Sequence, residues 1–131
     1  MTDTLTVLVV DDDLSICEVM CRMLEREGYR VLIAKDGLEA LQILSSGKSV
    51  DCVVTDLVMP NMGGITFAMK LHETYPRLPT VMISGRVDLE AASIQALAPL
   101  LNSETGCLVK KPFTSATLTE AVRKALSRAC P

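Results

Sequence analysis

The chain has 131 residues, 49% of them apolar and 22% charged, which fits one soluble globular domain with a single core and hardly two. A net charge of −3 gives no support for a nucleic-acid-binding surface. The longest apolar runs fall far short of a membrane span and no apolar leader precedes Asp11, so no membrane partner is expected.

The first predicted element is a strand over residues 5–10, apolar apart from Thr6, which runs straight into Asp11, Asp12 and Asp13. Helical spacing follows over 14–27, with apolar Ile16, Val19, Met20, Met23 and Leu24 and with Gly28 placed to end the helix. A second strand is predicted over 29–34. Asp36 can cap a helix running to about residue 46, with Leu38, Leu41, Ile43 and Leu44 as its apolar positions and Gly47 as its stop. A short strand at 51–55 leads into an abrupt loop, D-L-V-M-P-N-M-G-G, and then a helix over 64–74. Pro76 and Pro79 bracket its exit. Next come a strand at 80–84, a helix at 87–98 that Pro99 breaks, and a last strand at 107–110. Thr114 caps a final helix to about residue 128, with Leu118, Val122, Ala125 and Leu126 facing inward.

Short apolar strands alternating with helices imply a parallel sheet covered on both faces. Right-handed crossovers leave few topologies, and ligands of such sheets bind beyond the carboxyl ends of the strands. At those ends stand Asp11, Asp12 and Asp13, then Asp56, then Ser84, then Lys111 followed by Pro112. Lys35 and Asp36 follow the second strand, which as an edge strand lies away from the centre. An acidic cluster, a further aspartate, a hydroxyl and an ammonium are thus expected on one rim.

Adjacent carboxylates repel: two unit charges ~4 Å apart cost ~4 kcal/mol at an effective dielectric of about 20. Oxygen ligands on a rim suit a hard divalent cation, and Mg²⁺ takes a couple of carboxylates with water and phosphate oxygens. Such an ion offsets the repulsion and neutralises charge on a transferring phosphoryl group. An aspartate carboxylate can be the nucleophile, giving an aspartyl phosphate. Lys111 can pair with one phosphoryl oxygen and the Ser84 hydroxyl can donate to another.

Four segments each close a predicted strand: V-V-D-D-D at 9–13, T-D-L-V-M-P-N-M-G-G at 55–64, V-M-I-S at 81–84 and V-K-K-P-F at 109–113. With them the chain resembles the receiver domain of two-component response regulators, over 1–131 as a single domain. The resemblance implies an α/β fold, a doubly wound five-stranded parallel sheet of the flavodoxin-like, CheY-like (βα)5 type with strand order 2-1-3-4-5. It implies that Asp56 is the phosphoacceptor. It implies that Asp11 and Asp12, with Asp56 and the main-chain carbonyl of Val58, hold Mg²⁺, for which Mn²⁺ can substitute. Ser84 takes the place of the family's switch hydroxyl. Lys111 fits the family's lysine better than Lys110, and its bond to Pro112 is expected to be cis.

The implied function is a phosphorylation switch in a two-component system or phosphorelay. A sensor histidine kinase or histidine phosphotransfer protein presents a phosphohistidine, and the domain catalyses transfer to Asp56 and later hydrolysis. The phosphoryl group then biases a two-state equilibrium toward an active surface. The domain is a signalling switch, not an enzyme with a separate substrate. Output goes to a downstream protein or to an effector domain that this chain does not include.

Three departures from the family stand out. The usual aromatic switch position is Leu108. The stretch 85–110 is longer than usual and is interrupted by Pro99 and by N-S-E-T-G at 102–106. Val58 and Arg86 stand where the family tunes hydrolysis; an apolar Val58 offers no hydrogen bond to water and Arg86 can shield the phosphoryl group, so autodephosphorylation is expected to be slow.

Plainer readings cover several other residues. Asp13 is expected to cap the first helix, with Ser15 a second capping candidate. Lys110 reads as a solvated flank, His72 as an exposed helix residue, and Met59, Met62 and Met69 as packing. Cys17 and Cys21 are i,i+4 partners, but with one histidine and no C-x-x-C the five cysteines read mostly as small buried apolar residues. Their odd count points to a reducing, cytoplasmic setting. Rival functions remain. D-D-D-L-S at 11–15 also fits the opening motif of haloacid dehalogenase-type phosphatases, with Asp11 as nucleophile and Asp13 as acid/base, but after Lys111 the only acid is Glu120. A degenerate receiver that only binds a partner is a third class. A flavin binder lacks stacking aromatics, since the chain has only Tyr29, Tyr75, Phe67 and Phe113.

Overall fold

The computed structural model describes residues 4–57, 64–84 and 106–129. The helix expected over 87–98 and the stretch after it, 99–105, lie outside these residues. The described elements are β1 (Thr6–Val10), α1 (Leu14–Arg26), β2 (Arg30–Ala34), α2 (Gly37–Ser45), β3 (Cys52–Asp56), α3 (Gly64–Thr74), β4 (Thr80–Ser84), β5 (Gly106–Lys110) and α4 (Ser115–Ala129). All strand pairs are parallel, in the order β2-β1-β3-β4-β5, as expected.

The strands are continuous apolar runs because both faces are covered. Val7 and Val9 of β1, Cys52 and Val54 of β3, and Val81 and Ile83 of β4 pack with Cys17, Met20 and Leu24 of α1 and Leu118 and Val122 of α4. The alternate residues Leu8, Val10 and Val53 face the other way, against Ala40 of α2 and Phe67 and Leu71 of α3. Each such side chain contributes roughly 1.5–3 kcal/mol on burial, so the two layers dominate the fold's stability. Phe67 is the largest of the fully buried side chains. It lies so close to α2 that a Cβ on Gly37 would stand 3.1 Å from three of its carbons, which explains a glycine in that first turn.

Local chemistry sets the element ends. Asp13 caps α1: one carboxylate oxygen accepts from the N–H of Ser15 at 3.0 Å and of Ile16 at 3.4 Å. Gly28 closes the same helix at φ +92, where its N–H donates to the Glu25 carbonyl at 2.9 Å. Asp36 accepts from the Glu39 N–H at 2.8 Å, while the Glu39 carboxylate reaches back to the Lys35 N–H at 3.2 Å. Thr114 accepts from the Thr117 N–H at 3.1 Å ahead of α4.

Some expected inward positions are corrected. Val19 is 49% exposed and Leu38 is 51% exposed, while Cys17 and Ala40 are buried. Val19 adjoins the buried Met20, and Leu38 adjoins Gly37, which meets Phe67; each is rotated about 100° from its neighbour and falls at the edge of the apolar stripe. His72 is half-buried, not exposed, and its Nδ1 is buried with no hydrogen-bond partner among the described residues. Asp56 is the last residue of β3, where the sequence pattern had ended the strand at Thr55.

Candidate functional site

The sheet register gathers the rim. Val10 pairs with Thr55 across β1 and β3, Asp56 with Ile83 across β3 and β4, and Ser84 with Lys110 across β4 and β5. Asp11 and Asp12 follow directly after β1, so their carboxylates meet that of Asp56: one oxygen from each of the three lies within 4.8 Å of the others. From the far side, Lys111 Nζ stands 3.3 Å from Asp56 Oδ2. The Lys111–Pro112 peptide is cis, and the Lys111 N–H donates to the Ser84 carbonyl at 2.8 Å. Lys110 points to solvent, so of the two lysines it is Lys111 that reaches the cluster.

Burial differs sharply within the cluster. Asp11 is 1% exposed, Asp56 and Ser84 are buried, and Asp12 is open to solvent. One oxygen of Asp11 accepts from the Asp13 N–H at 2.9 Å, but its Oδ2 is buried and has no hydrogen-bond partner among the described residues. Burial lifts the Asp11 carboxyl to about 6; the Asp13 N–H opposes the rise, Asp56 adds to it, Lys111 opposes it, and Asp12 adds slightly. Among the described residues, three carboxylates face one ammonium. A buried carboxylate oxygen with no donor, beside two more acidic groups, suits an oxygen-seeking divalent cation, so these residues fit Mg²⁺.

Asp13 has another job. Its Oδ1 accepts from two main-chain N–H groups and, at 2.6 Å, from the Ser15 hydroxyl. The Ser15 hydroxyl is the first of the contacts that hold its carboxyl below the usual range. An ionised, triply engaged carboxylate is poorly suited to be the acid/base of a D-x-D phosphatase.

Val58 and Arg86 lie outside the described residues, as do Met59 and Met62. Leu108 is 36% exposed on β5, opposite Met82 of β4. Beside Lys111 an open apolar groove of about 500 Å³ is lined by Ile16, Val19, Met20, Met23 and Phe113. Sequence reasoning missed the partner of the Asp11 carbonyl, the Cys17 thiol, at 3.4 Å. Helical spacing from Met20 and Leu24 could have placed Cys17 inward, but not its bond. Burial, then the charges of Asp11 and Asp13, push that thiol up to about 11, so it stays a protonated donor.

Comparison with known proteins bears directly on this geometry. The family model described as the response regulator receiver domain matches residues 7–123. The response regulator MprA of Mycobacterium sp. (strain KMS) is 32% identical over 125 residues, which is 95% of this chain and 52% of that protein. The sensor kinase CckA of Brucella abortus (strain 2308) is 34% identical over 130 residues, 98% of this chain and 13% of that protein. The chain thus spans about half the length of the response regulators it matches, and less of the kinase. The crystal structure of a response regulator receiver protein from Sinorhizobium medicae WSM419 superposes with a TM-score of 0.81 at 31% identity, covering 97% of this chain and 98% of that one.

Proposed function

The chain belongs to the response regulator receiver family, and from that premise we propose that Asp56 is its phosphoacceptor. One observation carries this reading: Asp56 ends the central strand β3 with Lys111 Nζ 3.3 Å from one oxygen and the Asp11 and Asp12 carboxylates alongside. Asp11, Asp12, Asp56 and the main-chain carbonyl of Val58 would hold Mg²⁺, or Mn²⁺, which supplies charge neutralisation at the phosphoryl oxygens. The Asp56 carboxylate attacks phosphorus, the P–N bond of the donor phosphohistidine breaks, and its electron pair returns to the imidazole nitrogen. An imidazole protonated at its other nitrogen leaves neutral, so no further acid is needed. Lys111 gives up its pairing with the Asp56 oxygen and meets the incoming phosphoryl oxygens, and the Ser84 hydroxyl donates to another.

Water later attacks phosphorus and restores the carboxylate. Val58 and Arg86 are proposed to slow that step, the first by offering water no hydrogen bond, the second by shielding. The reaction alters the protein itself, so the domain works as a switch. Its donor is a sensor histidine kinase or histidine phosphotransfer protein. The residues 1–131 act as one domain, whose output passes to a further protein or an attached effector domain.

Intact mass after incubation with acetyl phosphate tests the assignment. Wild type should gain one phosphoryl group with Mg²⁺ and none in EDTA, and Asp56→Asn should gain none. A wild type that neither gains mass nor binds beryllofluoride would leave the partner-binding reading in its place.

A further inference from the structure

The turn between β1 and α1 contains a main-chain group with an uncommon partner. β1 ends at Val10, so the Asp11 carbonyl has left the sheet ladder, and α1 begins only at Leu14. The Asp11 N–H donates to the Ala34 carbonyl at 3.1 Å. The Asp11 carbonyl accepts the Cys17 thiol at 3.4 Å, and no other donor to it occurs among the described residues. Cys17 also gives its own N–H to the Asp13 carbonyl at 3.0 Å. One fully buried residue therefore holds both ends of the D-D-D turn. The peptide between Asp11 and Asp12 fixes where both side chains leave the main chain. A weak S–H donor suffices here because the carbonyl is cut off from water.

We propose that Cys17 is a positioning residue for the acidic pair: by donating to the Asp11 carbonyl it fixes the Asp11–Asp12 peptide and so sets the affinity of the two carboxylates for a divalent cation. The proposal rests on the reading of the rim as a Mg²⁺ site, and it concerns a residue that touches neither ion nor phosphoryl group.

The test separates donation from packing. Cys17→Val keeps an apolar side chain of similar size and loses the donor, whereas Cys17→Ser keeps a donor and loses apolar bulk. Mg²⁺ titrations of the full chain by amide NMR shifts, and Tm in EDTA, are measured for both. Positioning predicts opposite orders. Valine should lower Tm less than serine does, by leaving the Asp11 carbonyl without its donor, but should weaken Mg²⁺ binding by about tenfold, the loss typical when a ligand's supporting contact goes. Serine should lower Tm yet keep Mg²⁺ affinity within about twofold of wild type, since the donor remains. Mg²⁺ affinity that follows Tm, with valine equal to wild type, would overturn the proposal and leave the metal site standing. A wild type that takes up no Mg²⁺ would remove the metal reading itself, and this proposal with it. If the serine variant does not fold, the valine variant alone decides.

Discussion

Asp11 and Asp36 each follow a strand, precede a helix and are buried, at 1% and 7% exposure, yet their carboxylates are used differently. Asp36 stands at the edge of the sheet, after β2, and caps α2 through the Glu39 N–H at 2.8 Å. Asp11 follows β1, which lies between β2 and β3, so it faces Asp56. There the capping of α1 falls two residues later, to exposed Asp13, and Asp11 keeps a buried oxygen with no donor among the described residues. Burial of a carboxylate is therefore a poor sign of chemistry on its own. What separates the two turns is whether the carboxylate's oxygens are already engaged and which strand ends lie next to it.

The comparison breaks most visibly in phosphorylation. Asp11→Asn should weaken Mg²⁺ binding by more than about tenfold and slow acetyl phosphate labelling in step. Asp36→Ala should leave the labelling rate within about twofold of wild type, because its carboxylate caps α2 at the edge of the sheet, away from Asp56. Equal slowing in both variants would erase the distinction between the turns.

A second difference lies in the pH dependence of stability. The Asp11 carboxyl is raised from 3.8 to about 6 in the fold, so the unfolded chain loses this proton first. Stability from this group is fully present below about pH 4 and is lost as pH rises through 6. The loss is on the order of 3 kcal/mol, from roughly 1.4 kcal/mol per pH unit. Urea unfolding in EDTA between pH 4 and 8 should show wild type losing ground to Asp11→Asn across that window. Mg²⁺ should stabilise wild type more at pH 7.5 than at pH 5, since it competes with the proton.

The smallest effects sharpen the structural half of the comparison. Asp36→Ala should cost about 1 kcal/mol in the same urea experiment, the usual loss for a removed N-cap. Asp13→Ala should show a smaller loss, since its site is exposed, and should leave Mg²⁺ affinity near wild type. An Asp13→Ala variant that bound Mg²⁺ poorly would return Asp13 to the ligand set.

Much of this was legible in the chain. Val7 to Val10 and Val81 to Ile83 read as strands because burial on both faces removes alternation. Asp11, Asp12, Asp56 and Lys111 could be listed together because parallel strands end on one rim. Val19 and Leu38 were misplaced because periodicity finds an apolar stripe without saying where its edges lie. The unpartnered oxygen of Asp11 and the thiol on its carbonyl depend on how α1 sits over the end of β1. No local pattern encodes those contacts.

If the rim works as proposed, it directs a phosphoryl group to Asp56 and to no other carboxylate. Borohydride reduction after acetyl phosphate labelling, followed by peptide mapping, reads the acceptor directly, because it converts an aspartyl phosphate to homoserine. Homoserine should appear at position 56 with Mg²⁺ present and at no position in EDTA. Homoserine at position 11, or label at 56 that persists without the ion, would contradict it.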